Sequence, residues 1–436
     1  MDVAVIGAGW AGLAAAVAAR SQGYDVTVFE ATRTVGGRAR TLLEPQVLLD
    51  GTSAILDNGQ HILSGAYTAT LQLLDTVGVD AAHTLLPQGL DLRYPDGTGL
   101  RFPDWHPTLD LLWASLRARG WHLRDALALL RNAAAWQSAG FSCNPAITVA
   151  ELCAHLPQRV RSGLIDPLCV SALNTPAHLA SAHMFLRVLH DGVVGCPRGA
   201  RLLLPTVDLG RLFPQAALAW LREQGVACHL GERVESLVHH GRGWRVGDEE
   251  FSAVLLATDA AQSARILHAS LNSTPAIMAQ RLLSWAAMAQ ELRTTAIATV
   301  YAWGAGLRLP RPMCHLPSDD EHPAQFVFDR GQLGGPAGLL AFVVSDSNAT
   351  REHTEEAVLH QAREQLGWTL TPVQTVVEKR ATFCCEPRIA RPPHRIAPGL
   401  LACADFVANP YPATLEGAVR NALDAVRALP VATPLG

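Results

Sequence analysis

The feature that most constrains this chain is a strand, a glycine turn and a helix at its head. Val3 to Ile6 is a short β-rich apolar run that leads directly into Gly7, Gly9 and Gly12, a G-x-G-x-x-G spacing that encloses Trp10 and Ala11. A helical stretch, Ala11 to Gln22, follows, and after Gly23 the run Tyr24 to Phe29 reads as a second strand ending in Glu30. Glu30 stands 30 − 12 = 18 residues beyond the last motif glycine, the spacing of a βαβ dinucleotide cradle. The glycines let the backbone turn tightly and approach a pyrophosphate at the helix N-terminus. The Glu30 carboxylate can accept hydrogen bonds from ribose hydroxyls, and it disfavours a 2′-phosphate. Two other readings of the stretch fail. A secretion signal needs positive charge ahead of its apolar run, and only Met1 and Asp2 precede Val3. The uncharged run Val3 to Ala19 is 17 residues long and rich in glycine and alanine, a poor membrane span.

With 436 residues the chain is too long for one compact core, so two or three domains are expected. A hydrophobic share of 49% and a charged share of 17% describe a folded, unusually apolar protein. Its net charge of −4 provides no basic field, so no nucleic-acid partner is expected. The cysteines at 143, 153, 169, 196, 228, 314, 384, 385 and 403 form no C-x-x-C pair. They read as free thiols in a reducing, cytoplasmic compartment, and no metal site is expected. Lys379 is the only lysine.

From about position 68 to 203 the chain is rich in Leu, Ala and Trp, with helical spacing over 109–136 and 149–194. Strand-like runs return over 226–230, 234–238, 243–246 and 253–258. Further strands are expected over 294–301, 339–345 and 373–379, with a helix over 354–366 and Pro-rich connectors at 309–323 and 387–398. Leu400 to Asp405 reads as a buried strand ending in an acid, followed by a loop carrying Tyr411 and a helix over 414–429. The expected fold is α/β. A Rossmann-type domain is assembled from the discontinuous segments 1–75, 204–265 and 380–436; 76–203 is a mostly helical insertion; 266–379 is a mixed α+β, β-rich substrate domain.

Four stretches then resemble the flavin amine oxidase and phytoene desaturase superfamily, and the likeness covers nearly the whole chain. They are the glycine turn with Glu30, Gly36-Gly37-Arg38-Ala39-Arg40, Glu232-Arg233-Val234, and Asp405 with Pro412 to Val419. The resemblance implies non-covalent FAD. It implies Gly7, Gly9, Trp10, Ala11, Gly12, Gly36, Gly37 and Arg38 around the pyrophosphate, Glu30 at the ribose and the Val234 backbone at the adenine. Asp405 would bind ribitol, and Thr414, Leu415 and Ala418 would lay a helix N-terminus against the flavin pyrimidine. Within that group, four runs resemble the hydroxysqualene dehydroxylase family of bacterial hopanoid synthesis: Asp57 to Tyr67, which would bring Gly59 to the cofactor and carries His61, then Leu173-Asn174-Thr175-Pro176, Glu378 to Phe383, and the Pro412 to Val419 run itself. The chain has Ala404-Asp405-Phe406 where that family has Gly-Asp-Trp, which adds a methyl group near the pyrophosphate.

The implied activity is that of an FAD-dependent oxidoreductase that replaces the allylic hydroxyl of 12-hydroxysqualene with hydrogen. Protonation lets the allylic C–O bond ionise, and reduced flavin delivers hydride. Three acids are candidates, each with a plainer role beside it. His61 can hold a proton near neutral pH or simply bond a carbonyl. Glu416 can serve instead the first turn of the last helix. Asp57 sits in an Asp-Asn-Gly turn. Tyr411 can stabilise a cation through its ring or merely pack. The expected partners are a lipophilic triterpenoid substrate and an external electron donor. Trp113, Trp121 and Trp136, with Arg117, Arg119, Arg124 and Arg131, mark either a peripheral contact with the inner face of the cell membrane or packing within a helical cap.

Other activities are separable. A carotenoid-type desaturase would use oxidised FAD on the same fold. An amine oxidase would need a lysine beside the flavin, whereas Lys379 lies in a strand-like run 405 − 379 = 26 residues before Asp405. A prenyl carrier that has discarded flavin would have no use for Glu30, Gly36, Gly37 and Arg38.

Overall fold

The computed structural model describes residues 1–103, 105, 107–194 and 199–430, so Cys196 lies outside the described residues. The chain opens with β1 (Asp2–Ile6), α1 (Trp10–Ser21) and β2 (Asp25–Glu30). It continues through helices α2 (Thr68–Thr76), α3 (Pro107–Arg117) and α4 (Leu123–Ser138) before β3 (Ala227–Leu230) and β4 (Ala253–Leu256). A second group comprises β5 (Thr294–Trp303), β6 (Met313–His315), β7 (Phe326–Asp329), β8 (Leu339–Ser345), α5 (Arg351–Leu366) and β9 (Thr371–Phe383). The chain then returns with β10 (Arg395–Ala397), β11 (Leu400–Ala402) and α6 (Leu415–Arg427).

These pieces build a six-stranded sheet in the order β3-β2-β1-β4-β11-β10. All neighbours are parallel except β10, which runs antiparallel to β11. Buried on both faces, β1 and β4 are apolar almost throughout rather than alternating. Val3 and Val5 face a core shared with Leu13, Ala14 and Val17 of α1 and Val419 and Ala422 of α6. Ala4 and Ile6 face the opposite core with Ile266, Leu282 and Trp285. The strand order reverses direction between β1 and β4, so a crevice opens at the carboxyl ends of those two strands.

The second sheet is antiparallel, in the order β6-β7-β8-β5-β9. Ala298, Val300 and Ala302 of β5 pack towards Val358 and Ala362 of α5. Period-two alternation turns Thr299 and Tyr301 to the other face, where the Tyr301 hydroxyl donates to the Asp57 carbonyl at 3.0 Å.

Several details differ from expectation. The helical stretch 109–136 is two helices, broken around Gly120 at φ +87°. The helical region also contains strands at Leu85–Gln88, Asp91–Arg93 and Gly99–Arg101, the first of them paired with Leu202–Pro205. The run 234–238 is an unpaired loop, and its strand begins only at Val238. Helices Ala260–Ala269 and Ala276–Gln290 had no counterpart in the sequence reading.

Candidate active site

The β1–α1 turn forms a cradle of backbone. Helix α1 has no side-chain cap at Gly9 and no acid in its first turn, so its leading N–H groups and positive dipole end are left for an external anion. A Cβ on Gly12 would overlap the Gly7 carbonyl, and Gly7 holds φ +106°. Gly36, at φ +107°, bridges to Gly9, and a Cβ on Gly37 would come within 3.1 Å of the Gly9 Cα. Only glycine keeps this space open.

Glu30 ends β2 level with the turn. Its Oε2 accepts the Ala8 N–H at 2.7 Å, and Oε1 accepts both the N–H and the hydroxyl of Thr32 at 2.8 Å. Trp10 is buried; its indole donates to the Ala39 carbonyl at 2.9 Å and its ring packs on Phe213, so the side chain fastens the 36–40 loop to α1 beside buried Ala11. Arg38 donates to Asp405 at 2.5 Å and to the Ala381 carbonyl at 2.7 Å, tying the N-terminal loop to β9 and to the C-terminal loop. Arg38 and Asp405 line a cleft with Asp259, Arg380, Phe383 and Phe406 at the crevice.

The Asp57-to-His61 run is pinned beside it. Asn58 accepts the Arg40 N–H, Gln60 donates its N–H to Thr299, and Arg330 donates to the Gln60 side chain. His61 Nδ1–H donates to the Gly59 carbonyl at 3.0 Å, which leaves Nε2 as the free ring nitrogen. Burial, reinforced by the Arg38 charge, holds the imidazole below its ordinary value. Asp57 is buried and accepts from Leu209 N at 2.9 Å and from the Thr41 hydroxyl at 3.2 Å, a hydroxyl it shares with Asp208. Burial raises its carboxyl to about 6, with Asp208 adding to the rise.

Two of the expected catalytic side chains are engaged elsewhere. Glu416 is 1% exposed and takes the backbone N–H groups of Ala69 and Thr70, the Thr70 hydroxyl and Arg420 Nε at 2.7–3.1 Å. An acid placed there neutralises the N-terminus of α2, and every oxygen is already committed. The ring of Tyr411 has the Arg187 and Arg420 guanidinium groups 5.1 and 5.2 Å from its centroid, and its hydroxyl accepts from Arg187 at 3.2 Å. A substrate cation brought to that ring would meet two like charges. Thr414 caps α6 by accepting the Gly417 N–H at 3.0 Å, with Leu415 and Ala418 in the first turn, while Val234 is half-buried in the loop after β3.

Sequence reasoning missed Arg391. This buried arginine donates to the backbone carbonyls of Asp405, Phe406, Val407, Asn409 and Tyr411 and lies 4.5 Å from the centre of the Phe383 ring. It sets the shape of the loop between β11 and α6. No local motif announces it.

A glycine turn at a helix N-terminus, an acid closing β2 and a cleft at the sheet's switch point could hold a dinucleotide, and the chain is an FAD-dependent oxidoreductase. The chain belongs to the flavin containing amine oxidoreductase family, whose model matches residues 10–430. It is similar to the hydroxysqualene dehydroxylase of Rhodopseudomonas palustris, 26% identical over 96% of both chains, and to that of Sinorhizobium fredii, 24% identical over 96% of both. A zeta-carotene desaturase of Zea mays is 30% identical over 112 residues, 23% of this chain and 19% of its own. Among solved structures, an oxidoreductase from Methanosarcina mazei aligns with a TM-score of 0.73 at 15% identity, covering 98% of this chain and all of that one. Cyclohexylamine oxidase from Brevibacterium oxydans aligns with a TM-score of 0.69 at 17% identity, over 98% of each chain. These structural likenesses speak for the fold.

Proposed function

We propose that this protein removes the allylic hydroxyl of 12-hydroxysqualene reductively, yielding squalene for hopanoid synthesis. The observation that carries the reading is likeness to hydroxysqualene dehydroxylases over 96% of both chains. The desaturase match, confined to 23% of the chain, supports the alternative far less. An amine-oxidase reading has no lysine to use: Lys379 is exposed on β9 beside Asn348 to Arg351, at the start of α5 and on the α5 side of the sheet.

Bound FAD supplies the hydride. The chain supplies the acid, the walls and the placement. Nε2 of His61, left free by the Gly59 contact, gives the leaving oxygen its proton, and it has one to give only as imidazolium. Because burial lowers the imidazole, that form grows as pH falls, so turnover rises with acidity below neutrality. Phe383 and Phe406 supply apolar surface in a cleft that Arg38, Asp259, Arg380 and Asp405 also line, and that surface limits water at the reacting carbon. The substrate is a lipophilic triterpenoid, and the electron donor is external to the chain.

Among the described residues no helix is long and apolar enough to cross a membrane. The α3–α4 pair nonetheless suits a peripheral contact with an anionic bilayer. Leu109, Leu112 and Leu116 share one face of α3, Leu123 and Leu127 one face of α4, and all are 42–66% exposed. Every exposed charged side chain among residues 109–140 is an arginine: Arg117, Arg119, Arg124 and Arg131. The tryptophans singled out beside them, Trp113, Trp121 and Trp136, are half-buried or buried, so the leucines form the apolar edge of the contact.

The test is anaerobic incubation of the reduced holoprotein with 12-hydroxysqualene in D2O, followed by lipid analysis. Squalene with one deuterium at the carbon that lost its hydroxyl is expected. A product with additional double bonds, formed from squalene or phytoene by the oxidised protein, would overturn the reading. His61→Ala should slow turnover ~10²–10⁴-fold and keep FAD bound. Normal turnover would remove His61 as the acid and leave dehydroxylation standing.

A further inference from the structure

The face of the second sheet that turns away from Asp57 and Gln60 carries a cluster that the proposed chemistry does not use. Helix α5 covers that face, and His360 and Glu364 stand one turn apart on it. The connection between β6 and β7 brings His322 to the same spot. His322 Nε2 lies 2.9 Å from one Glu364 oxygen, His360 Nε2 lies 3.4 Å from the other, and the two rings stack at 5.9 Å. We propose that His322, His360 and Glu364 form a site for a divalent transition-metal ion of the zinc class.

Three observations support it. The donor set of two imidazoles and one carboxylate is the borderline-soft combination such ions select over Mg²⁺ or Ca²⁺. The ligand atoms all lie within 4.8 Å of one another, and a tetrahedral centre with bonds of about 2.0–2.1 Å sets them roughly 3.3–3.4 Å apart. His360 and Glu364 are about half exposed, so small rotations close that difference, and the fourth position stays open to water. Finally, the outer partner is already in place. Asp319 Oδ1 accepts His322 Nδ1–H at 3.0 Å and the His322 backbone N–H at 2.8 Å, which turns Nε2 towards Glu364 as an orienting carboxylate does for a metal-bound histidine.

The loop carrying His322 is fixed before any ion arrives. Gln361, fully buried on α5, donates to the carbonyls of Pro317 and Ala324 at 3.0 and 2.9 Å and accepts the Ala324 N–H at 2.8 Å. A bound ion would staple this loop to α5, remote from the flavin cleft, so its role is to stabilise the second sheet and not to take part in turnover.

The probe is Co²⁺ alone, titrated into flavin-loaded full-length protein and read by d–d absorption on the long-wavelength side of the flavin bands, with Zn²⁺ in a parallel thermal-unfolding series. One saturable equivalent is expected, displaced by Zn²⁺, with a rise in Tm. His360→Ala and Glu364→Ala, both at exposed positions, should abolish the signal, and Asp319→Asn should weaken binding ~10–100-fold, all with unchanged flavin content. No saturable Co²⁺ signal, or a signal kept in the His360→Ala and Glu364→Ala variants, overturns the site whatever the protein's substrate proves to be.

Discussion

Asp57 shows how one buried carboxyl makes the fold sensitive to pH. Its folded value of about 6 against an ordinary 3.8 means the native chain takes up the proton before the unfolded chain does. Stability therefore falls as pH rises from about 4 to 6, by roughly 3 kcal/mol at ~1.4 kcal/mol per pKa unit. Asp57→Asn keeps an oxygen for the Leu209 N–H and removes the charge, so it should raise Tm at pH 7.5 and change it little at pH 4. An equal effect at both values would show that the charge is not the cause. Arg391 works in the opposite sense, as a charge that holds its surroundings. Arg391→Met leaves five loop carbonyls short of a donor and should cost about 2–4 kcal/mol, with FAD retention falling in step. Retention at the wild-type level would separate the loop from the cofactor. The contrast between Arg391 and Glu30 marks what a sequence can disclose. Glu30 is fixed by its spacing from Gly12 within a single βαβ unit. Arg391 acquires its role only when the chain folds back over the following 20 residues, and no spacing rule encodes that. Glu416 and Tyr411 stand in a recognisable run, but the groups that occupy them, Thr70 and Arg187, come from distant segments.

At the level of elements, legibility followed burial on both faces. The strands β1, β4 and β8 are continuous apolar runs, readable from the sequence within a residue or two of their ends. Two- to four-residue strands such as Leu85–Gln88 are too short to show a period, and pairing alone defines them. The helices at 260–269 and 276–290 are dominated by small and mixed residues whose periodicity does not stand out, so packing against the sheet decides them. The α3–α4 pair carries a prediction of its own. Purified protein should float with vesicles containing anionic phospholipid, less so with neutral vesicles, and less at high salt, because screening weakens the arginine contribution. Leu112→Ser with Leu116→Ser should reduce flotation without loss of flavin, whereas flotation unchanged by these substitutions and by lipid charge would place the contact elsewhere.

Across the whole molecule, the residues we propose to hold FAD are separated by most of the chain, from Gly7 to Thr414, and no covalent anchor is expected. Denaturation should therefore release yellow, soluble flavin, and flavin that remains attached to denatured protein would contradict a purely non-covalent grip. The order of the six-stranded sheet has a further cost, measured in time. β1 is made first, its neighbour β4 follows about 250 residues later, and β11 closes that side only near residue 400. At a synthesis rate of about 5–20 residues per second, one edge of β1 waits roughly 12–50 s for its partner, and the sheet waits roughly 20–80 s for its last strands. Throughout that interval a strand of four consecutive apolar residues presents an open edge to every other nascent chain, so the yield of active protein depends on translation speed and holding chaperones before stability has any say.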